Sequence, residues 1–146
     1  MNALADVAWP GRPVRERGAG AARARRLLAV AAIAAAPLAS AQVIDIAWDA
    51  QGRLRRDLRA EPGKFVELCG RLSPGTKVQW RFEASATTNF NVHYHVAKDV
   101  RYPVKEDAVR KSQGTLEVAV EQEYCWMWSN KGPAPAEIAV EMSKGG

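Results

Sequence analysis

Along residues 77–83 the side chains alternate without a break: Val78, Trp80 and Phe82 are interleaved with Lys77, Gln79, Arg81 and Glu83. A period of two belongs to a strand with one face buried, because successive side chains leave a strand on opposite sides. The same rule divides the stretch NFNVHYHV: Phe90, Val92, Tyr94 and Val96 point one way, and Asn89, Asn91, His93 and His95 the other. Val92 is therefore expected in the core and Asn91 on a solvated outer face. Further on, Leu116, Val118 and Val120 alternate with Glu117, Ala119 and Glu121, and Ile138, Val140 and Met142 alternate with Glu137, Ala139 and Glu141. Between them, in YCWMW, Tyr124, Trp126 and Trp128 share one face while Cys125 and Met127 share the other. The expected core is Trp80, Phe82, Phe90, Val92, Tyr94, Leu116, Val118, Trp126 and Val140.

The connecting segments read less regularly. VIDIAW, from residue 43, has the composition of a short edge strand, whereas AQGRLRRDLRA carries too much charge for a helix and reads as an exposed connection as far as Gly63. Phe65, Val66 and Leu68 lead into the turn Ser73-Pro74-Gly75-Thr76. The charged stretch from Ala97 to Gly114, containing Pro103, reads as a long loop with at most one irregular strand pair. Short strands, frequent turn signals and no convincing helix beyond residue 41 predict an all-β fold, an antiparallel sandwich of about six to eight strands.

Residues 1–41 stand apart. Arg23, Arg25 and Arg26 precede the apolar run LLAVAAIAAAPL and the small residues Ala39-Ser40-Ala41, the order of a signal peptide cleaved after Ala41. The run is too short to span a hydrocarbon core about 30 Å thick. The reading is thus a leader at 1–41, an edge strand and connection at 42–63, and a sandwich at 64–146, in the periplasm or secreted. Six of the 21 Lys and Arg and two of the 16 acidic residues precede Gln42, which leaves 15 positive and 14 negative side chains. So balanced a surface argues against a nucleic-acid partner.

Export changes the meaning of the cysteines. In an oxidising compartment Cys69 and Cys125, the two of the chain, are candidates for one disulfide. The competing use is a metal. His93 and His95 on one strand face, with Cys125 and Met127 on another, form a donor set suited to copper, whose reduced state favours sulfur ligands. An oxidised Cys125 supplies no thiolate, and no histidine follows it as in an ordinary blue-copper loop. Catalytic signatures are lacking: there is no G-x-S-x-G, no phosphate loop, and Glu121 and Glu123 read as a solvated pair. Tyr94, Trp126 and Trp128 are candidates for an aromatic ligand surface, although paired indoles on one strand face more often make core.

The order of features, a cysteine before a glycine turn, a W-x-F strand, then FNVHYHV and GTLEVAVEQEYCWMWSN, resembles the Golgi-dynamics (GOLD) domain over about Lys64 to Ser143. Tyr124, Cys125, Trp128 and Asn130 stand at spacings similar to the Y-x-x-C-F-x-N-like hallmark of that family, though not identical to them. The resemblance implies a β-sandwich used for binding, with Cys69 and Cys125 as its disulfide pair. The coiled coil and membrane anchor of GOLD cargo receptors have no counterpart here, and His-x-His and C-W-M-W lie outside the general pattern. The expectation is a soluble, non-enzymatic binding module without a cofactor, its partner an unspecified protein or small ligand. The alternative is a periplasmic copper or zinc protein.

Overall fold

The computed structural model describes residues 41–145; the leader read at 1–41 lies outside them apart from Ala41. Seven strands follow one another: β1 (Gln42–Asp45), β2 (Arg53–Ala60), β3 (Phe65–Leu72), β4 (Lys77–Val96), β5 (Asp99–Glu117), β6 (Gln122–Ser129) and β7 (Ala136–Gly145). The fold is all-β, as the alternation predicts, and its order is β1-β3-β6-β4-β7-β2 with β5 on the free side of β4. Every pairing is antiparallel except β1 with β3.

One long, bent hairpin organises the rest. The first half of β4 pairs with β7 from Lys77 to Ala84, the second half pairs with β6 from Asn89 to Tyr94, and β5 accompanies both halves. Register shifts between Glu83 and Thr88 and between Thr88 and Phe90 mark the bend, where bulges let a strand turn without losing its partner. Two layers result, β2-β7-β4-β5 and β1-β3-β6-β4-β5, with their apolar faces turned to one core. Across the bend Phe82 and Phe90 lie 4.8 Å apart between ring centroids, and Phe82 meets Trp128 edge-on at 5.4 Å. Such offset and edge contacts are those that aromatic quadrupoles favour.

The expected core residues are buried, save Tyr94, which is partly exposed and packs on Tyr124. Gly114 sits opposite Trp80 in the ladder. A Cβ there would lie 2.6 Å from the indole, so the absence of a side chain makes room for the ring.

Two connections of the sequence reading are strands. Residues 53–60 form β2 rather than an exposed connection: Leu58 and Ala60 enter the core, and the arginines that hid the pattern lie on the outer face. There Arg55 and Arg59 pair with Glu141 and Glu137 of β7. Residues 99–117 form β5 rather than a loop. Its turn, Ala97-Lys98, carries no glycine or asparagine; Ala97 itself takes the left-handed conformation that a two-residue hairpin requires, with φ 54°. Pro103 is tolerated because β5 pairs on one side only and the residue falls at a register shift. Val120 lies beyond β5 and is exposed, not part of a half-buried strand.

Candidate functional site

The polar positions of the second layer come together on its outer face. In the β3-β6-β4 register, Glu67 lies opposite Met127, which lies opposite Asn91; one row on, Cys69 lies opposite Cys125, which lies opposite His93. Parity is thus kept across three strands, and the two sequence motifs share one surface. Cys69 and Cys125 form a disulfide, their Cα atoms 4.1 Å apart. Cys125 is therefore no thiolate donor, and the soft copper set of His93, His95, Met127 and Cys125 loses its strongest member.

His93 is not a solvated residue. It is 7% exposed, walled by the disulfide row and by Tyr102 of β5, whose ring centroid is 5.9 Å away and whose ring carries the Lys105 ammonium over it at 5.7 Å. Asn91, expected at the surface, is equally buried, and its Oδ1 accepts a hydrogen bond from His93 Nδ1 at 2.8 Å. That bond assigns the tautomer: Nδ1 carries the proton and Nε2 keeps its lone pair. Nε2 faces Glu67 Oε2 at 3.9 Å, across the strand between them. His95 is exposed, and its ring stands 5.4 Å from that of His93.

The Glu67–His93 approach resembles an ion pair, but both partners favour their neutral forms. Burial raises the Glu67 carboxyl above the usual range; His95 opposes this and Glu123 adds to it. Burial lowers His93 below its ordinary value, and the neighbouring His95 pushes the same way. Around Glu67 and His93 there is too little water to charge either group comfortably.

The other candidates separate cleanly. Trp126 and Trp128 are fully buried and leave no indole face for a ligand; their N–H groups have no partner among the described residues, so both serve as apolar bulk. Glu121 pairs with Arg71 at 3.0 Å. A groove of about 750 Å³ does exist, but it lies on the first layer, lined by Arg53, Arg55, Trp80, Arg81 and Glu141, away from the histidines. Glu67, Asn91 and Tyr102 were missed from the sequence. The one available signal was Glu67 itself, an acid two residues before Cys69 on the same face and flanked by Val66 and Leu68 of the core.

A curled, mostly antiparallel β-sandwich with one cross-strand disulfide and a polar cluster on an outer face is the class these features define. No helix among the described residues is long and apolar enough to cross a membrane. No family model matches the chain, and no curated protein matches it in sequence.

Solved structures do match in fold. A periplasmic inhibitor of g-type lysozyme, PliG of Aeromonas hydrophila, is similar with a TM-score of 0.59 at 10% identity, over 73% of this chain and 98% of that one. PliG of Salmonella Typhimurium gives 0.51 at 9% identity, over 73% and 100%. A mutant of the Escherichia coli PliG gives 0.51 at 8%, again over 73% and 100%. At such identities the likeness is one of fold.

Proposed function

We propose that this chain is an exported, non-enzymatic module that binds a protein partner, and that the partner is a lysozyme-type hydrolase of g-type. The observation that carries the reading is the extent of the fold likeness: it takes in 98–100% of three periplasmic inhibitor chains. The GOLD resemblance belongs to the same reading as a scaffold signature. Tyr124 is core, Cys125 is half of the disulfide and Asn130 is fully buried, so the residues of that motif hold the domain together rather than touch a partner.

The contact is placed at the tip of the β4–β5 hairpin, where Val96, Val100 and Tyr102 are 42%, 37% and 50% exposed. They are three of the five exposed large apolar side chains among the described residues. Apolar and tyrosine side chains at a protruding turn bury area at low entropic cost when a partner closes over them.

The test is calorimetric titration of the oxidised full chain with g-type lysozyme, alongside an assay of cell-wall lysis. Saturable binding with inhibition is expected, weakened by about tenfold or more in Val100→Asp and Tyr102→Ala. Lysis unaffected by excess protein, with no heat of binding, overturns the lysozyme partner. Full affinity in both variants overturns the hairpin tip.

A further inference from the structure

We propose that Glu67, His93 and His95 form a binding site for a divalent cation of the zinc class, with Asn91 as the residue that positions His93. The proposal is independent of the protein partner.

Its basis is the geometry of the outer face. A metal-binding imidazole offers one nitrogen while the other donates its N–H to a fixed acceptor, which holds the ring and the tautomer. His93 is held in this way, with Nδ1 tied to Asn91 Oδ1 at 2.8 Å. The free Nε2 lies 3.9 Å from Glu67 Oε2, too far for a hydrogen bond. Two donors each about 2.0 Å from a tetrahedral zinc stand about 3.3 Å apart, so closing on an ion asks for a movement of roughly half an ångström. A turn of the Glu67 side chain supplies that. His95, two residues from His93 on the same strand face and with its ring centroid 5.4 Å away, would supply the third donor by a change of rotamer of its exposed side chain.

The chemistry of the donors selects the ion. With the cysteines joined, Cys125 Sγ, within 4.8 Å of the Glu67 and His93 ligand atoms, offers no thiolate, so the surface offers imidazole nitrogen and carboxylate oxygen, with the Met127 thioether in the neighbouring row. Nitrogen with oxygen suits Zn(II) and Cu(II); it suits Cu(I) poorly, and Mg(II) and Ca(II) prefer oxygen alone. His93 is buried and Glu67 partly so, their Nε2 and Oε2 face each other with no hydrogen bond between them, and a cation seated there would take both as ligands. Three protein donors leave a fourth position for water or a group from outside.

The experiment is titration of the oxidised full chain, without a histidine tag, with Zn(II) and with Cu(II) against a competing chelator, and Mg(II) as control. One equivalent of Zn(II) or Cu(II) is expected to bind and Mg(II) not to. Glu67→Gln and the exposed substitution His95→Ala should each weaken binding by at least about 100-fold, the upper end of what a merely orienting residue supplies. Asn91→Ala should weaken it about 10- to 100-fold, while Asn91→Asp, which keeps an oxygen acceptor, should retain it. Met127→Leu should leave Zn(II) affinity unchanged. His95→Ala lies at the surface and keeps the fold, so it decides the case if a buried substitution unfolds the protein. Equal affinity in wild type and His95→Ala, or loss of Zn(II) binding in Met127→Leu, overturns the donor set. No binding by the wild type overturns the site.

Discussion

Cys69 and Cys125 stand directly opposite each other in the β3–β6 ladder, their Cα atoms 4.1 Å apart, and turn their sulfurs to the outer face rather than into the core. The bridge closes a loop with a sequence separation of 56 residues. By the chain-entropy relation this restricts the unfolded state by about 4 kcal/mol. Denaturant unfolding of the oxidised protein and of Cys69→Ala/Cys125→Ala is expected to differ by about that amount, with the fold retained in the double variant. Two thiols alkylated in the native, unreduced protein would contradict the bridge.

Val92 and Asn91 are neighbours on opposite faces, and both are buried. Val92→Asp places an unpaired charge among Phe90, Trp126 and the rest of the core, and should unfold the domain. Asn91→Asp, harmless if that face were open to water, adds a second carboxylate against His93, across β6 from Glu67, in a desolvated cluster. Thermal melts in the presence of chelator should show a lowered Tm for Asn91→Asp, smaller than the collapse in Val92→Asp.

Asn130 is fully buried and joins three segments. Its Nδ2 donates to Ala60 O at 2.9 Å and to Ala134 O at 2.7 Å, and its Oδ1 accepts from the Gly132 N–H at 2.9 Å. The end of β2 and the β6–β7 connection are thereby held together. Asn130→Ala leaves buried backbone groups unpaired at about 1–3 kcal/mol each, so a loss of several kcal/mol is expected in chemical denaturation. A loss below about 1 kcal/mol would mean that the connection is held by other contacts.

Without metal, Glu67 and His93 give stability opposite dependences on pH. The Glu67 carboxyl is raised above its ordinary value of 4.5 by burial, so its contribution is present below that pH and is lost as pH rises through the folded value. His93 is lowered below 6.5, so its contribution is present above that pH and is lost as pH falls through the window beneath it. In chelator, Glu67→Gln should be more stable than wild type at neutral pH, and the difference should vanish in acid. Unfolding midpoints across the pH range give the measurement; parallel profiles for the two proteins would show that burial does not perturb Glu67.

The strands that carry the core were legible because alternation is a local property. Val78, Trp80 and Phe82, or Tyr124, Trp126 and Trp128, declare their face from their own neighbours, and the structure buries them as their parity requires. β2 and β5 escaped for an equally local reason. Arg53, Arg55, Asp57 and Arg59 make β2 look solvated until Glu137 and Glu141 are found beside it. The β5 turn uses Ala97 where the usual signal is asparagine or glycine.

By itself, then, the sequence determined the all-β class, the core faces, and the fact that His93 and His95, or Cys125 and Met127, leave their strands on one side. It could not say which strands lie together, since parity acts within a strand and register is set by the packing of distant ones. Tertiary structure alone brought Glu67 of β3 across β6 to His93 of β4 and covered with Tyr102 of β5 a face that alternation left open to water, whereas the Cys69–Cys125 bridge was already expected from the two cysteines of an exported chain. The physical reason is that a polar outer face stays exposed only if nothing is laid over it, and what is laid over it comes from elsewhere in the chain.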